Sequence, residues 1–396
     1  MSALRRLIRR LARPARTSGG RGGPVIQAWR GCGNGGEVMV LGRVLRQPPF
    51  GLGERSDPAS RDLVDVLRRF LRRGYRHAEL EARFAGATAR VTADRSGFFA
   101  VRLKPARPLP RDGMWHAMKL SLNHRGETVE DEAHVFVPPP AARHLVISDI
   151  DDTVMFTGVG NTLAMLWRLF VAGAESRTAF PGVAAFYQAL HRGPSGEERN
   201  PMVYVSRGPW SLYEVLETFF RLHRIPEGPV LFLRDWGLTL QRPLPRRAVD
   251  HKRGLIEAML AIYPDYRVVL IGDSGQHDPE IYARIVRDHP GRVAAVYIRD
   301  VTRPKRDRAV EELARRLDAD GHSPLVLADD SFEMARHAAG LGLISEADLQ
   351  DVLALFVLGL DAGGAVGTGS GIGHGGTLEA GGEAGRRPYL VSVEDS

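Results

Sequence analysis

The ten residues HLVISDIDDT, numbered 144–153, join a short apolar run to a cluster of acidic side chains. A run of this length, rich in β-branched residues, predicts a buried strand. Asp149, Asp151 and Asp152 follow it directly. Strands that are apolar throughout are typical of parallel sheets covered by helices on both faces. The stretch therefore predicts an α/β fold with carboxylates at the end of a strand.

Four further apolar runs have the same character and are separated by helix-like segments. They are residues 202–205, 230–233, 268–271 and 293–298. This alternation predicts a Rossmann-like parallel sheet. In such sheets the reacting groups collect at the carboxyl ends of the strands. The residues that follow each run are therefore the candidates for a functional site.

A hydroxyl, an ammonium and two more carboxylates occupy such positions. Ser206 follows the second strand, and Asp273 and Asp278 follow the fourth in the sequence GDSGQHD. Lys252 lies shortly before the fourth strand, where it opens the helix-like segment 252–262. The polar groups thus come from several parts of the chain that a parallel sheet would bring to one edge.

Carboxylates that meet at a sheet edge repel one another unless a cation relieves them. Magnesium prefers oxygen ligands, usually a few carboxylates with waters and phosphate oxygens, so Asp149 and Asp273 are predicted to bind Mg²⁺. Ser206 and Lys252 can orient a transferring phosphoryl group while a carboxylate attacks phosphorus in line. Asp278 has two interpretations at this point: a metal ligand, or a residue that holds the loop or caps the following helix.

The order and strand context of these residues resemble the haloacid dehalogenase-like phosphatase pattern. That pattern consists of DxDxT, here residues 149–153, then a serine (Ser206), a lysine (Lys252) and GDxxxxD, here residues 272–278. Four segments are similar to a particular family within this class, the catalytic domain of the actin-patch-associated phosphatidate phosphatases and their bacterial relatives. They are SDIDDTV (148–154), FPGVAAFYQAL (180–190), YVSRGPWSLY (204–213) and LIGDSGQHDPEIY (270–282). The resemblance implies that Asp149 is a nucleophile forming an aspartyl-phosphate, and that Asp151 is the general acid and then the base. It also implies a magnesium site formed by Asp149, Asp151, Asp273 and Asp278.

The same resemblance implies a phosphorylated lipid as substrate, with phosphatidate hydrolysed to diacylglycerol and phosphate. The intervals from Thr153 to Ser206 and from Ser206 to Lys252 are each about fifty residues of ordinary strand and helix pattern. We therefore expect a site without a large cap domain, open to a bulky substrate. Two alternatives stay open: a phosphatase of phosphoproteins or small phosphometabolites, and a membrane-associated adaptor with a vestigial catalytic domain.

A different pattern occupies residues 25–137, which we predict to be a small β-rich, sandwich-like domain. Its predicted strands are residues 37–45, a hairpin over 88–103 turning at 94–97, residues 115–122 and residues 132–137. One helix is predicted within it, over residues 63–71. Proline runs favour stiff, extended chain, so PPP predicts a linker at 138–142 before a phosphatase domain at 143–357.

The chain has 396 residues and a formal net charge of +7, but the excess lies at one end. Residues 1–36 contain eight arginines and no acidic residue. The basic arm at 1–24 is consistent with a solvated tail, a helix on an anionic membrane surface, or an organelle transit peptide. The near-neutral remainder, without interleaved stacking aromatics, argues against a nucleic-acid partner.

The other end of the chain is predicted to be a disordered tail over residues 358–396. Twelve of the 27 residues from 359 to 385 are glycine, a composition that cannot offset the entropy of ordering. The single cysteine, Cys32, excludes an intrachain disulfide and a cysteine-rich zinc site. No apolar run approaches the ~20 residues of a membrane span. The expected location is cytoplasmic, with peripheral membrane contact through the arm.

Overall fold

A computed structural model describes residues 23–46, 74–110, 113–150, 181–207, 210, 213–232, 248–301, 304–321 and 323–366. Within these residues the chain forms one eight-stranded and one six-stranded sheet. The predicted combination of a parallel α/β sheet with a separate β-rich region is confirmed. Residues 1–22 of the basic arm and the helix predicted over 63–71 lie outside the described residues.

The β-rich region, residues 24–136, contributes eight strands. They are β1 Pro24–Ala28, β2 Gly31–Gly33, β3 Val38–Arg46, β4 Glu79–Phe84, β5 Ala87–Thr92, β6 Phe98–Leu103, β7 Trp115–His124 and β8 Glu127–Phe136. Their order is β1-β3-β2-β8-β7-β4-β5, and β6 pairs with β3. Burial alternates along strands such as β6, where Phe99, Val101 and Leu103 are buried, so one face of the sheet covers a core.

The hairpin predicted over 88–103 has the right turn and the wrong pairing. The amide of Gly97 donates to the carbonyl oxygen of Asp94 at 3.0 Å, but β5 pairs with β4 and β6 pairs with β3. Strands β5 and β6 stand at opposite ends of the sheet and are close in the chain, so the sheet curls back on itself. The region is therefore one curled sheet, not the two packed sheets of a sandwich. Strands β7 and β8 pair as a hairpin, with Arg125 and Gly126 at positive φ, and β8 begins at Glu127, five residues before the strand predicted over 132–137.

The α/β region, residues 144–366, contains six strands. They are β9 His144–Asp149, β10 Met202–Ser206, β11 Val230–Phe232, β12 Arg267–Asp273, β13 Val293–Arg299 and β14 Leu325–Ala328. All neighbouring pairs are parallel, in the order β11-β10-β9-β12-β13-β14. The order reverses between β9 and β12, and at such a switch point the carboxyl ends of the strands border a crevice. We call this side of the sheet the carboxyl edge.

Helices cover both faces of this sheet. In the described part of the chain they are α1 Val183–Arg192, α2 Tyr213–Leu222, α3 Ala248–Ile262, α4 Asp278–Asp288, α5 Pro304–Ala319, α6 Ser331–Gly340 and α7 Glu346–Val366. None of these described helices is long and apolar enough to span a membrane. Helix α7 continues nine residues into the segment predicted to be a disordered tail, and residues 367–396 lie outside the described residues.

The two regions share their cores. Trp29 of the β-rich region is buried among residues of α1, α2, α6 and α7 on one face of the parallel sheet. Cys32 and Met39 are buried among residues of α3, α4 and α5 on the other face. Residues 137–143, which include the predicted linker at 138–142, connect β8 to β9. The β-rich region therefore packs directly against both layers of the α/β region.

Candidate active site

Three neighbouring strands end at the carboxyl edge with a polar residue. Asp149 is the last residue of β9, Ser206 the last of β10 and Asp273 the last of β12. The register aligns Asp149 with Val205, so Ser206 lies one residue further along the neighbouring strand. All three side chains are buried, because helices cover both faces of the sheet up to its edge. The strand-end positions predicted from the sequence are thus the positions that the structure brings together.

The carboxylates of Asp149, Asp273 and Asp278 form one buried cluster. An oxygen atom from each lies within 4.8 Å of the others, and none of the three residues is exposed to solvent. Carboxylate oxygens grouped in this way are the ligands that hard divalent cations prefer. The residues present therefore fit a metal ion at this point of the crevice.

Lys252 reaches the cluster from α3. Its ammonium donates to Oδ1 of Asp149 at 2.7 Å and to Oδ1 of Asp278 at 2.6 Å. Burial disfavours the charged ammonium, but the two carboxylates outweigh it and raise the pKa of Lys252 above its ordinary value. Helix α3 begins at Ala248, so Lys252 lies within the helix and not at its start as predicted. The charge of Lys252 alone does not balance the three carboxylates, so a divalent cation would add further compensation.

Asp278 is the first residue of α4, yet its side chain does not cap the helix. The N-cap is His277, which makes no side-chain capping hydrogen bond. Oδ2 of Asp278 accepts a long hydrogen bond, 3.4 Å, from the amide of Asp273. Gly272 permits this approach, because a Cβ atom there would collide with the Asp278 carboxylate. Of the roles considered for Asp278, capping is wrong, whereas holding the loop and joining the carboxylate cluster agree with its position.

The loop that links β12 to α4 is held by Arg306 of α5. Its guanidinium donates to the carbonyl oxygens of Ser274 at 2.9 Å and Gln276 at 2.6 Å. It also donates hydrogen bonds to both carboxylate oxygens of Glu280, at 2.5 and 2.8 Å. The hydrogen bond with Glu280 is the main cause of a raised pKa of Arg306. Arg306 was not among the predicted site residues, because no local pattern links it to a loop 30 positions earlier.

A second buried cation stands beside the cluster. Arg299 is the Cα partner of Asp273 on β13, and it donates to Oγ of Ser331 at 2.6 Å. Burial lowers the pKa of Arg299. It too was missed, since a single arginine at a strand end carries no signal of its own. Of the predicted site residues, Asp151 lies outside the described residues; the other predicted site residues lie in the cluster or on an adjacent strand end.

The fold and the cluster together define an α/β protein with a candidate metal centre in the crevice of a parallel sheet. Residues 144–300 match the family described as the catalytic domain of phosphatidate phosphatase APP1. The match confirms, for this part of the chain, the resemblance found in the sequence.

Two curated relatives match the same part of the chain. Phosphatidate phosphatase APP1 of Saccharomyces cerevisiae is 30% identical over 155 residues, which are 39% of this chain and 25% of that protein. An uncharacterized protein of Schizosaccharomyces pombe is 30% identical over 157 residues, again 39% of this chain and 25% of that protein. The match thus spans about a quarter of the length of these relatives.

Among solved structures, a carbohydrate acetylesterase from Xanthomonas citri is similar at a TM-score of 0.24 and 13% identity. The similarity covers 75% of this chain and 76% of that one. A TM-score this low supports no conclusion about fold or function.

Proposed function

We propose that the chain is a magnesium-dependent phosphatase of the haloacid dehalogenase-like class, acting on phosphatidate or a related lipid phosphate. The observation that carries the proposal is the buried bridge of Lys252 between Asp149 and Asp278, beside Asp273. The family description and the name of the yeast relative support phosphate ester hydrolysis and a lipid substrate.

Asp149 is the proposed nucleophile. Lys252 binds its Oδ1 atom and thereby orients the carboxylate and favours its ionised form. Attack of the carboxylate on phosphorus forms an aspartyl-phosphate and breaks the bond to the substrate oxygen. Asp151 is proposed to give its proton to that leaving oxygen. It then takes a proton from the water that hydrolyses the aspartyl-phosphate.

The remaining residues are proposed to hold the phosphoryl group and the metal ion. Ser206 and Lys252 orient the phosphoryl oxygens by hydrogen bonding and charge. Asp149, Asp273 and Asp278, together with Asp151, would hold Mg²⁺, which when bound neutralises the charge on those oxygens. The burial of the cluster strengthens each of these interactions, because little water is present to screen them.

An open entrance to the site is part of the proposal. Residues 181–206 are occupied by α1, a connecting loop and β10, which limits the room for a large cap after β9. In the second interval, α2 and β11 lie within residues 213–232. Residues 151–180, 208–209, 211–212 and 233–247 lie outside the described residues. We also propose the division into domains at 25–137 and 143–357, and a peripheral contact of the basic arm with anionic membranes from the cytoplasmic side.

The test is phosphate release from a panel of phosphatidate vesicles, phosphopeptides, sugar phosphates and nucleotides, each with MgCl₂ and with EDTA. We expect release from phosphatidate that requires MgCl₂ and is abolished by Asp149→Asn. The matched control is Asp288→Asn, which neutralises a half-exposed carboxylate at the end of α4 and should retain full activity.

Each of the other possible outcomes supports a different function. Turnover of phosphopeptides or small phosphates in preference to phosphatidate would favour the phosphoprotein or metabolite alternative. No release from any member of the panel would favour an adaptor with a vestigial site. Full activity of Asp149→Asn would contradict the nucleophile assignment.

A further inference from the structure

An arginine of the β-rich region packs against the chain that follows Ser206. The guanidinium carbon of Arg43, in β3, lies 3.4 Å from the ring centroid of Trp210 and 4.8 Å from that of Phe98. The two rings are themselves 5.5 Å apart in an edge-to-face arrangement. Trp210 comes four residues after Ser206. The cation is therefore shared by one ring from each region, close in the chain to the end of β10.

Arg43 is also fixed from its own side. Its Nε donates to the carbonyl oxygen of Ser96 at 2.7 Å, and the residue is only 7% exposed. Burial lowers the pKa of Arg43 to about 10, so the guanidinium keeps its charge at neutral pH. Its Nη1 atom makes no hydrogen bond within the described residues. The aromatic faces, together with the charge of Asp94, thus compensate for taking this cation out of water.

A second contact of the β-rich region lies beside the first. Trp29 stacks on Tyr213 with centroids 5.6 Å apart, and meets Phe232 edge to face at 5.7 Å. Tyr213 is the first residue of α2, and Phe232 is the Cα partner of Ser206 on β11. The β-rich region therefore contacts both the strand next to Ser206 and the chain that continues from it.

We propose that Arg43 is a positioning residue, which acts through Trp210 to fix the chain after Ser206 and so sets the affinity of the site for phosphate. The inference rests on the proposed function, because that function assigns Ser206 to the phosphoryl group. Under this proposal the β-rich region contributes to substrate binding indirectly, without contacting the substrate itself.

The packing of the β-rich region against the α/β region does not by itself require an arginine at position 43. Trp29, Tyr213 and Phe232 already provide an apolar contact, and a neutral side chain of similar volume would fill the position of Arg43 at a lower desolvation cost. Unlike a neutral side chain, a guanidinium interacts with a defined geometry. It stacks over a ring face and donates in its own plane, so it restricts the orientation of the Trp210 ring.

The experiment compares three variants of the full chain with the wild type. Arg43→Met removes the charge and keeps most of the volume, whereas Arg43→Lys keeps the charge and loses the planar fork. Arg90→Met is the matched control, an 86% exposed arginine on β5 of the same region. Calorimetry gives the affinities for inorganic phosphate, in MgCl₂, and for Mg²⁺ alone. KM and kcat come from a soluble phosphate monoester, and mass spectrometry gives the rate of tryptic cleavage after Arg207.

For Arg43→Met we expect an increase of about tenfold in the phosphate dissociation constant and in KM, equivalent to about 1.4 kcal/mol. The Mg²⁺ affinity should be unchanged and kcat should stay within about twofold of the wild type, since the carboxylate cluster is untouched. Trypsin should cleave after Arg207 faster than in the wild type. Arg43→Lys should fall between the two, and Arg90→Met should match the wild type in every measurement.

Two results would overturn the inference. If Arg43→Met lowers the thermal midpoint but leaves phosphate affinity and KM at their wild-type values, the arginine has a structural role alone. If cleavage after Arg207 is not accelerated, Arg43 does not fix this part of the chain. The second result is independent of catalysis. A wild type that neither turns over phosphoesters nor binds phosphate would refute the proposed function, while the cleavage rate would still decide whether Arg43 holds the chain.

Discussion

The ammonium of Lys252 donates to Asp149 at 2.7 Å, across 103 positions of sequence, with side chains that are 2% and 0% exposed. The lysine also binds Asp278, so one cation serves two buried carboxylates. The stability of the carboxyl edge therefore depends strongly on the charge of Lys252.

Lys252→Met should therefore destabilise the protein in EDTA by about 3–5 kcal/mol, because it leaves buried carboxylates without their cation. MgCl₂ should restore more stability to the variant than it adds to the wild type, since a bound cation replaces part of the lost compensation. Urea denaturation with EDTA and with MgCl₂ measures both effects. Arg253→Met removes the next side chain of α3, a half-exposed cation, and should cost less than about 1 kcal/mol. Equal losses for the two variants would contradict this account.

Magnesium binding should stabilise the folded chain by about 2.7 kcal/mol at one hundred times its dissociation constant. Asp273→Asn removes one of the three clustered carboxylates, so its thermal midpoint should respond much less to added MgCl₂. The midpoint is measured over a series of MgCl₂ concentrations, with Asp288→Asn as the variant expected to respond like the wild type. An undiminished response of Asp273→Asn would remove this residue from the metal site.

Arg306→Met should weaken Mg²⁺ binding by about tenfold or more, although the arginine is not a metal ligand, because side chains that hold the ligands contribute on this scale. Its bonds to Ser274 and Gln276 fix the loop that carries Asp273 and Asp278. Calorimetric titration of each variant with MgCl₂ is the measurement. Arg316→Met, on the same helix, breaks only an exposed pair with Glu312 and should bind like the wild type. Equal affinities in the two variants would show that the loop does not need Arg306.

Stability should fall with acidification through His191. Burial lowers its pKa, although the hydrogen bond with the carbonyl oxygen of Asn200 at 2.7 Å opposes the shift. The folded state therefore takes up the proton less readily than the unfolded state. This contribution is complete above the unfolded pKa of about 6.5, and is lost as the pH falls through the lower folded value. The unfolding free energy, measured by urea at about pH 7, 6 and 5, should decline less steeply in His191→Gln. Parallel declines would contradict the assignment.

The sequence was most informative where chemistry follows a strand directly. Asp149, Ser206 and Asp273 could be placed because each ends a buried run, and parallel strands end at one edge. The hydrogen bonds of Lys252 to Asp149 and Asp278, and those of Arg306 to the loop after β12, depend on how the helices pack. No local sequence pattern encodes that packing. Strand β14 was missed because four residues, LVLA, make too short a run to stand out.

In the β-rich region, too, local sequence predicts a turn but not which strands pair. Asp94 and Gly97 mark a turn in the sequence, and the turn is there. Which strand each arm of the turn pairs with depends on burial across the whole sheet, so the predicted hairpin was wrong. The stacking of Arg43 on Trp210 joins two segments that carry no common pattern, and only the structure brings them together.

Trp29 is synthesised about 200 residues before Phe232, the ring it packs against. At roughly 5–20 residues per second, a ribosome needs on the order of ten to forty seconds to make the chain between them. During that time Trp29 can already contact Phe98, but its contact with Phe232 cannot form. A chain that ends before β11 would therefore lack one of the three ring partners of Trp29 and would leave part of the shared core unfilled.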